Sequence, residues 1–170
     1  SSALEIKNIA DEISERGHRY HAVQIALTEV EPSDEIAILF NLVKQKQENT
    51  NNTGDQERVF YSEVLHLEND EPIQLEQRFV NKLLVPEYIQ QDFTLITPHE
   101  YLSTEAPLTE ATHEIEAILA SENVCQLLTI NNSQPCLQVK RRTWSNQGVV
   151  SLATLTAAGH KYRLGSHLTF

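Results

Sequence analysis

Residues 59–79 read VFYSEVLHLENDEPIQLEQRF, and their alternation of apolar and polar side chains is the clearest structural pattern in the chain. The alternation runs over residues 59–67 with an interruption at the polar Glu63, stops at Asn-Asp-Glu 69–71, and resumes over residues 73–79. A period of two places successive side chains on opposite faces of a strand, and Asn-Asp is typical of a tight turn. These residues therefore predict an antiparallel hairpin with one apolar face.

Helical spacing, turn residues and capping residues divide the rest of the chain into short helices and strands. The predicted helices cover residues 6–16 before Gly17, a stretch capped by Ser33, two short openings between residues 86 and 103, and residues 121–128. The predicted strands cover residues 20–31, a second hairpin at 137–155 with its turn at 145–148, and a short segment around Tyr162 and Leu164. Residues 44–56 contain no apolar side chain, which predicts a mobile loop.

The segment at residues 111–119 fits two structures. Ile115, Ile118 and Leu119 suit one face of a helix, whereas Ile115, Ala117 and Leu119 suit one face of a strand. The pattern alone leaves both open. In either case the order of elements favours an α/β (α+β) domain, in which a mostly antiparallel sheet is flanked by helices.

The composition favours one globular domain that does not bind nucleic acid by itself. The chain has 170 residues, of which 40% are hydrophobic, and this is enough to bury a single core. Its formal net charge of -11 repels phosphate groups, because non-specific affinity for nucleic acid comes from lysine and arginine.

Three further features predict a cytoplasmic protein without membrane contact. No apolar run approaches the roughly 20 residues that cross a bilayer, and the first residues lack the pattern of a signal peptide. Cys125 and Cys136 have no CxxC spacing, which fits two free thiols in a reducing compartment.

The chain has no methionine, so we expect it to be part of a longer protein whose N-terminal partner domain is absent.

The familiar motifs of catalysis, metal binding and cofactor binding are missing from the sequence. His18-x-x-His21 is followed by no cysteine or carboxylate at ligand spacing, and His113 lacks the second histidine of an HExxH motif. For His113 we expect a solvated or sheet-facing role. No GxSxG, GxGxxG or GxxxxGK[ST] motif occurs. We therefore expect no catalytic residue, no metal and no cofactor.

Two sets of polar residues bear on a binding site. Gln74, Glu76 and Arg78 alternate with apolar residues, which predicts either an ordinary sheet with one wet face or a pocket on that face. The pattern alone favours the wet face, whereas a sheltered carboxylate and guanidinium would orient a small ligand with a donor and a negative group. In the run KRR, alternation sends Arg141 and Arg142 to opposite faces of a strand. A nucleic-acid patch is therefore not expected, and one of the two arginines would instead supply positive potential to a pocket.

Four blocks of the chain resemble one family of bacterial regulators. The blocks are PIQLEQRFVN (72–81), QDFTLITPHEYL (91–102), RRTWSNQGVVS (141–151) and HKYRLG (160–165). In this order they are similar to the UTRA ligand-binding domain of histidine-utilisation repressors, the HutC-type members of the GntR superfamily. The resemblance extends over residues 3–168. It implies a chorismate-lyase-like fold, with an effector pocket between an antiparallel sheet and loops, and it makes residues 111–119 a strand.

The resemblance also implies a function for the chain. In such repressors a winged helix-turn-helix domain precedes the UTRA domain, which forms a homodimer, and the effector of this subclass is urocanate. Residues 1–19 would then be a linker and leading helix, and residues 20–170 the effector-binding and dimerisation domain. Operator DNA would be bound only through the missing N-terminal domain. Because fold alone does not carry function, a small chorismate-lyase-like enzyme and a regulator sensing another carboxylate or a sugar phosphate stay as alternatives.

The resemblance implies a set of ligand contacts as well. Related domains place contacts at positions that match His66 and Glu76 on the hairpin and at a position near Ser151 on a late strand. We add Arg78 and Tyr101, because they lie in the matching blocks and have suitable chemistry. Many relatives that bind sugar phosphates carry arginine at the positions of Val64 and His66, so a phosphate ligand is less expected here. The predicted ligand-binding residues are His66, Glu76, Arg78, Tyr101 and Ser151.

Overall fold

The computed structural model describes residues 6–42, 58–165 and 167–170. Its helices are α1 (Ile9–Glu15), α2 (Asp34–Leu39), α3 (Pro98–Glu105) and α4 (Glu122–Leu128), with a short 3-10 helix at Tyr88–Gln90. Its strands are β1 (Tyr20–Val30), β2 (Val59–Glu68), β3 (Glu71–Val80), β4 (Glu110–Leu119), β5 (Pro135–Ser145) and β6 (Gly148–Ala158). The strands form one antiparallel sheet in the order β1-β2-β3-β6-β5-β4, which confirms the predicted fold class.

The hairpin of β2 and β3 has the turn that its sequence predicts. Asn69 and Asp70 have φ values of 48° and 66°, and a two-residue type I′ turn requires a positive φ at both of these positions. In the two strands that this turn connects, Leu65 pairs with Leu75. Val64 pairs with Glu76, so the charged residue lies beside an apolar neighbour on the same face of the sheet.

Each of the four α-helices begins at a polar side chain that satisfies an unpaired backbone N–H group. Asn8, Ser33, Thr97 and Ser121 accept these hydrogen bonds at α1, α2, α3 and α4, respectively. Helix α1 is followed by Gly17 with a φ of 77°, the left-handed conformation that was expected at this end. These capping residues determine the residue at which each short helix begins.

Both faces of the sheet are covered by other elements. On one face, called the cleft face below, Val64 and Val80 pack against Tyr88 of the 3-10 helix and against residues of α3. On the opposite face, Leu128 of α4 packs against Leu75 of β3. Because side chains alternate along β3, its even-numbered residues point to the cleft face and its odd-numbered residues point away from it.

The structure decides the ambiguous segment at residues 111–119 and corrects the prediction for the segment around Tyr162. Residues 110–119 form the edge strand β4 beside β5, so this segment is a strand. The predicted strand around Tyr162 and Leu164 is wrong, because β6 ends at Ala158 and residues 162–165 have no strand structure. Strand β6 is already paired on both sides, with β3 and with β5, and Tyr162 instead contributes to the wall of a cleft.

The predicted loop at residues 44–56 lies outside the described residues, as does Val43 at the end of the predicted α2 stripe. Among the helices that the structure describes, none has the length and apolar character needed to cross a membrane.

Candidate ligand-binding cleft

A cleft opens between the cleft face of the sheet, α1, the start of α3 and the segment after β6. Its volume is about 490 Å³ when the space at its open mouth is included. Strand residues form the floor, and residues of the three covering segments form the walls. The lining residues are Lys7, Ile9, Glu12, Gln74, Glu76, Arg78, Thr97, His99, Arg141, Leu155 and Tyr162.

The floor of the cleft contains a buried network of charged and polar side chains. Glu76 accepts hydrogen bonds from His66 Nε2 and from Arg78 Nε, both at 3.0 Å. Arg78 also donates through a terminal nitrogen to Ser151 Oγ at 2.8 Å, and Ser151 lies 2.8 Å from the hydroxyl of Thr143. Since Glu76 and Arg78 are only 4% and 3% exposed, the interpretation of a wet sheet face is excluded.

Glu76 and Arg78 form an ionised pair. Burial alone would raise the pKa of the Glu76 carboxyl, but the charge of Arg78 and the hydrogen bond from His66 outweigh burial and lower this pKa to about 2. Burial would lower the pKa of Arg78, but the Glu76 carboxylate more than offsets burial and raises it. Both groups are therefore charged at neutral pH.

The hydrogen bonds around His66 determine which of its ring nitrogens carries a proton. The Glu76 carboxylate can only accept, so the Nε2 atom of His66 must be the donor. On the other side of the ring, Nδ1 lies 2.8 Å from the hydroxyl of Tyr20, which can donate to it. The ring of Tyr20 also stacks on the imidazole, at a centroid distance of 5.8 Å. His66 thus supports Glu76 from behind the cleft.

The floor of the cleft carries a second cation, on β5. Arg141 of β5 donates through Nε to Nδ1 of His113 on β4 at 3.3 Å. Burial, with Arg78 as the next cause, lowers the pKa of Arg141 to about 10, so this residue is still protonated at neutral pH. Burial and the same two arginines lower the pKa of His99, which favours its neutral form. The cleft therefore presents cationic groups of β3 and β5 to any bound molecule.

The structure brings together four of the five residues that were predicted to bind a ligand. Glu76 and Arg78 line the cleft, and His66 and Ser151 hold this pair from the side and from behind. Tyr101 does not join them. It packs in the apolar core against the ring of Tyr88, with a centroid distance of 5.9 Å, and it is not among the residues that line the cleft.

The same helix contributes another residue to the cleft. His99 precedes Tyr101 by two positions, and two residues correspond to about 200° around an α-helix, so the two side chains point in nearly opposite directions. His99 and the capping residue Thr97 line the cleft, and sequence reasoning did not select either of them. The signal that would have found them is the Thr-Pro cap, which fixes the phase of α3.

Arg141 and Arg142 lie on opposite faces, as alternation predicts. Arg141 lines the cleft, so the expected positive contribution to a pocket comes from this residue. Arg142 lies on the other face, where it stacks 4.6 Å from the ring centre of Trp144 and donates to the carbonyl of Leu39 at 2.7 Å. Lys7, Glu12 and Tyr162 also line the cleft and were not predicted, because they come from segments far away in sequence.

The histidine pair that was weighed as a metal site has other contacts. His18 contacts the carboxylate of Glu68, and His21 lies 3.8 Å from that of Asp70. Within residues 6–42, 58–165 and 167–170, no three side chains of histidine, cysteine, aspartate or glutamate come together in a way that could hold a metal ion.

Comparison with known proteins relates this fold and cleft to one family. The sequence model of the UTRA domain matches residues 15–163 of the chain. Histidine utilization repressors from Pseudomonas putida and Pseudomonas aeruginosa are 43% and 44% identical to the chain over 164 residues, which are 96% of its length. The match covers 62% and 61% of those two proteins, so the chain spans about three fifths of the curated relatives it matches.

Solved structures agree with the sequence comparison. The C-terminal domain of the histidine utilization repressor from Pseudomonas syringae is 41% identical, with a TM-score of 0.79 over 89% of this chain and 100% of that chain. The effector domain of PhnF from Mycobacterium smegmatis has a TM-score of 0.83 over 98% of both chains, and its 10% identity makes this a likeness of fold alone. The predicted resemblance is confirmed, and the chain belongs to the UTRA domain family.

Proposed function

We propose that this chain is the effector-binding domain of a bacterial transcription repressor of histidine-utilisation genes, and that urocanate is its effector. The observation that carries the proposal is the ionised pair of Glu76 and Arg78 in the floor of the cleft. Urocanate is flat, with an imidazole ring at one end and a carboxylate at the other, so it needs an acceptor, a cationic group and apolar walls. The identity to histidine utilization repressors favours this ligand among the small carboxylates.

In the proposed complex the ring and the carboxylate are held by different groups. Each oxygen of Glu76 accepts one hydrogen bond and has a second lone pair, so the carboxylate can also accept the N–H of the ring. Arg78 supplies positive charge for the acidic end of the ligand. Ile9 and Leu155 supply apolar contacts for the flat linking group. His66 and Ser151 act by holding Glu76 and Arg78 in place.

DNA recognition belongs, in this proposal, to a winged helix-turn-helix domain that is not part of these residues. The chain has a formal net charge of -11, which disfavours contact with phosphate groups. Residues 1–19 would form the linker and leading helix, and residues 20–170 the effector-binding and dimerisation domain. Because Glu12 of α1 lines the cleft, a bound ligand can bias the position of the leading helix. Operator half-sites have a fixed spacing, so a modest change between two heads abolishes DNA binding.

A repressor of this kind works as a homodimer in the cytoplasm, since two heads must reach two half-sites. Sedimentation of the chain at micromolar concentration should therefore give a dimer. A monomer at every concentration up to about 100 μM would contradict this part of the proposal. In a mobility-shift assay at physiological salt, the chain alone should not bind operator DNA.

The test of the effector is calorimetric titration of the chain with urocanate, with thermal unfolding as a second measurement. Ligand that binds only the folded state raises the melting temperature as its concentration exceeds the dissociation constant. We expect heat and stabilisation from urocanate and a much weaker response from histidine, whose ammonium group meets the cations of the cleft. Absence of both heat and stabilisation with urocanate would rule out the assignment.

The contact residue is tested by Glu76→Ala, after its fold has been checked by circular dichroism. Loss of one charged partner in a sheltered site typically costs about 2–5 kcal/mol, which is roughly a thirtyfold or greater loss of affinity. Unchanged affinity would remove Glu76 from the site. The enzyme alternative is tested separately by incubation with chorismate, for which we expect no turnover.

A further inference from the structure

Arg141 is a half-buried cation of the cleft floor that has no carboxylate partner among the described residues. Its only hydrogen bond in this part of the chain runs from Nε to His113, which leaves both terminal nitrogens of the guanidinium free. Tyr162, Glu76 and Glu12 act on it only at longer range, without an ion pair. Lys7 also lines the cleft, but it is exposed and therefore solvated. A sheltered guanidinium without an anion is the kind of group that binds one.

The neighbouring charges leave Arg141 without a paired counterion. Glu76 is committed to Arg78 by a 3.0 Å ion pair, so these two charges compensate each other. Glu12, the other carboxylate of the lining, forms no ion pair with Arg141, so Arg141 has no counterion in contact although the whole chain is strongly acidic. Burial and the charge of Arg78 lower the pKa of Arg141, as expected for a cation that lacks a counterion.

His113 holds Arg141 without neutralising it. The two residues are directly opposite each other in the pairing of β4 with β5. Burial, followed by the charge of Arg141, lowers the pKa of His113, so the imidazole is neutral and its Nδ1 can accept from the guanidinium. A carboxylate at this position would have cancelled the charge of Arg141. A neutral acceptor fixes its orientation and leaves the charge available to a ligand.

The sheet places Glu76 and Arg141 at a suitable separation for the two ends of a small molecule. They lie on β3 and β5 with β6 between them, and the register offsets them by two residues along the strands, so their backbones are about 12 Å apart. The residue of β6 between Arg78 and Arg141 is Ala153, whose small side chain leaves room above the strand. Leu155, which pairs with Glu76, supplies an apolar surface next to it.

From these observations we propose that Arg141, positioned by His113, binds the carboxylate of the effector, while Glu76 binds the opposite, hydrogen-bond-donating end. This assignment rests on the proposed function, which supplies the ligand. It makes Arg141 the residue that binds the carboxylate directly and selects it over neutral analogues, while Arg78 orients Glu76 and adds positive charge from the next row of the sheet.

The experiment compares urocanate with its primary amide, which keeps the ring and the linking group but carries no negative charge. Both are titrated into the parent chain, Arg141→Gln and Arg142→Gln. The last variant is a matched control, because it removes one positive charge from the adjacent residue on the opposite face of the sheet. Arg141→Lys and His113→Ala are measured as well, and melting temperatures without ligand show whether each variant is folded.

We expect Arg141→Gln to weaken urocanate binding by about thirtyfold or more, as for loss of one partner in a sheltered ion pair, and to change amide binding less than about threefold. Arg142→Gln should keep the parent's preference for the carboxylate. Arg141→Lys should keep part of this preference, and His113→Ala should reduce it with little effect on the amide. A purely structural role of His113 would weaken both ligands equally.

The assignment of Arg141 and the proposed function fail on different outcomes. If the parent binds urocanate and Arg141→Gln keeps the full preference for the carboxylate, the assignment of Arg141 is wrong and the proposed function stands. If Arg141→Gln is unfolded, Arg141→Lys and His113→Ala decide. The assignment is wrong if both of these variants keep the parent's preference for urocanate over its amide. If the parent binds neither ligand, the proposed function fails and this inference fails with it.

Discussion

Replacement of Glu76 by glutamine tests whether the buried ion pair has the energetics that its geometry implies. In the folded protein the carboxylate has two partners within hydrogen-bonding distance, His66 and Arg78, and it is almost fully buried. Glu76→Gln keeps the shape of the side chain and removes its charge. It leaves the Arg78 guanidinium buried without a counterion, and breaking a buried pair in this way typically costs about 3–5 kcal/mol.

The pKa of Glu76 gives an independent magnitude and a pH range. A tenfold change in proton affinity corresponds to about 1.4 kcal/mol, so the drop from the ordinary value of 4.5 to about 2 corresponds to about 3 kcal/mol of folding stability. The pKa is lower in the folded state than in the unfolded state. The stabilisation is therefore complete above about pH 4.5 and is lost as the pH falls toward 2, with about 2 kcal/mol already lost at pH 3.

The assay is urea unfolding of the parent and Glu76→Gln at several pH values between 7 and 3. Other carboxylates with lowered pKa values, such as Glu68, are present in both proteins, so their effects cancel in the difference. We expect the two free energies of unfolding to differ by about 3 kcal/mol or more at neutral pH and to approach each other by about 2 kcal/mol at pH 3. Glu63→Gln, on the opposite face of the same hairpin, is the control. A difference that does not change with pH would refute the ionised pair.

Three further substitutions test separate parts of the structure. Ser151→Ala removes an acceptor of Arg78 and should lower the free energy of unfolding by about 1–3 kcal/mol in urea titration, because a buried charged donor loses a partner. Tyr20→Phe removes the hydroxyl that contacts His66 and should cost about 1 kcal/mol, with the signal of its ring Nδ1 shifted in nitrogen NMR spectra. Gly17→Ala should cost about 1 kcal/mol in thermal unfolding, since a φ of 77° is strained for alanine although no atom obstructs its methyl group.

The parts of the fold that could be predicted from sequence are those where one face of an element is buried and the other is not. The β2–β3 hairpin shows this clearly, because its turn residues and its alternation agree. Strand β4 was ambiguous because it is an edge strand exposed on most of both faces, so burial imposes no clear period on its residues. The strand around Tyr162 was wrong because a short apolar pattern carries no information on which strand edges are already occupied.

The candidate site could be predicted only where it follows the alternation of a strand. Glu76 and Arg78 are two residues apart on β3, and the pattern places both on one face whatever the rest of the chain does. Tyr101 was chosen for its chemistry, without knowledge of the rotation of α3, and it points into the core. His99 and Tyr162 reach the cleft from segments that only the tertiary structure brings together.

The charge of the chain has two consequences that operate at different distances. At physiological salt, exposed charges are screened beyond about 8 Å, so the net charge of -11 governs encounters with DNA at the surface and has little effect inside a sheltered cleft. Inside the cleft, the unpaired positive charge of Arg141 acts at short range and at lower effective dielectric, where its interaction with a ligand is stronger. One acidic domain can therefore repel a polyanion and bind a small anion. Neutralising Arg141 should then remove carboxylate binding without giving the domain any affinity for DNA. Adding surface lysines far from the cleft should raise the affinity for DNA and leave carboxylate binding unchanged.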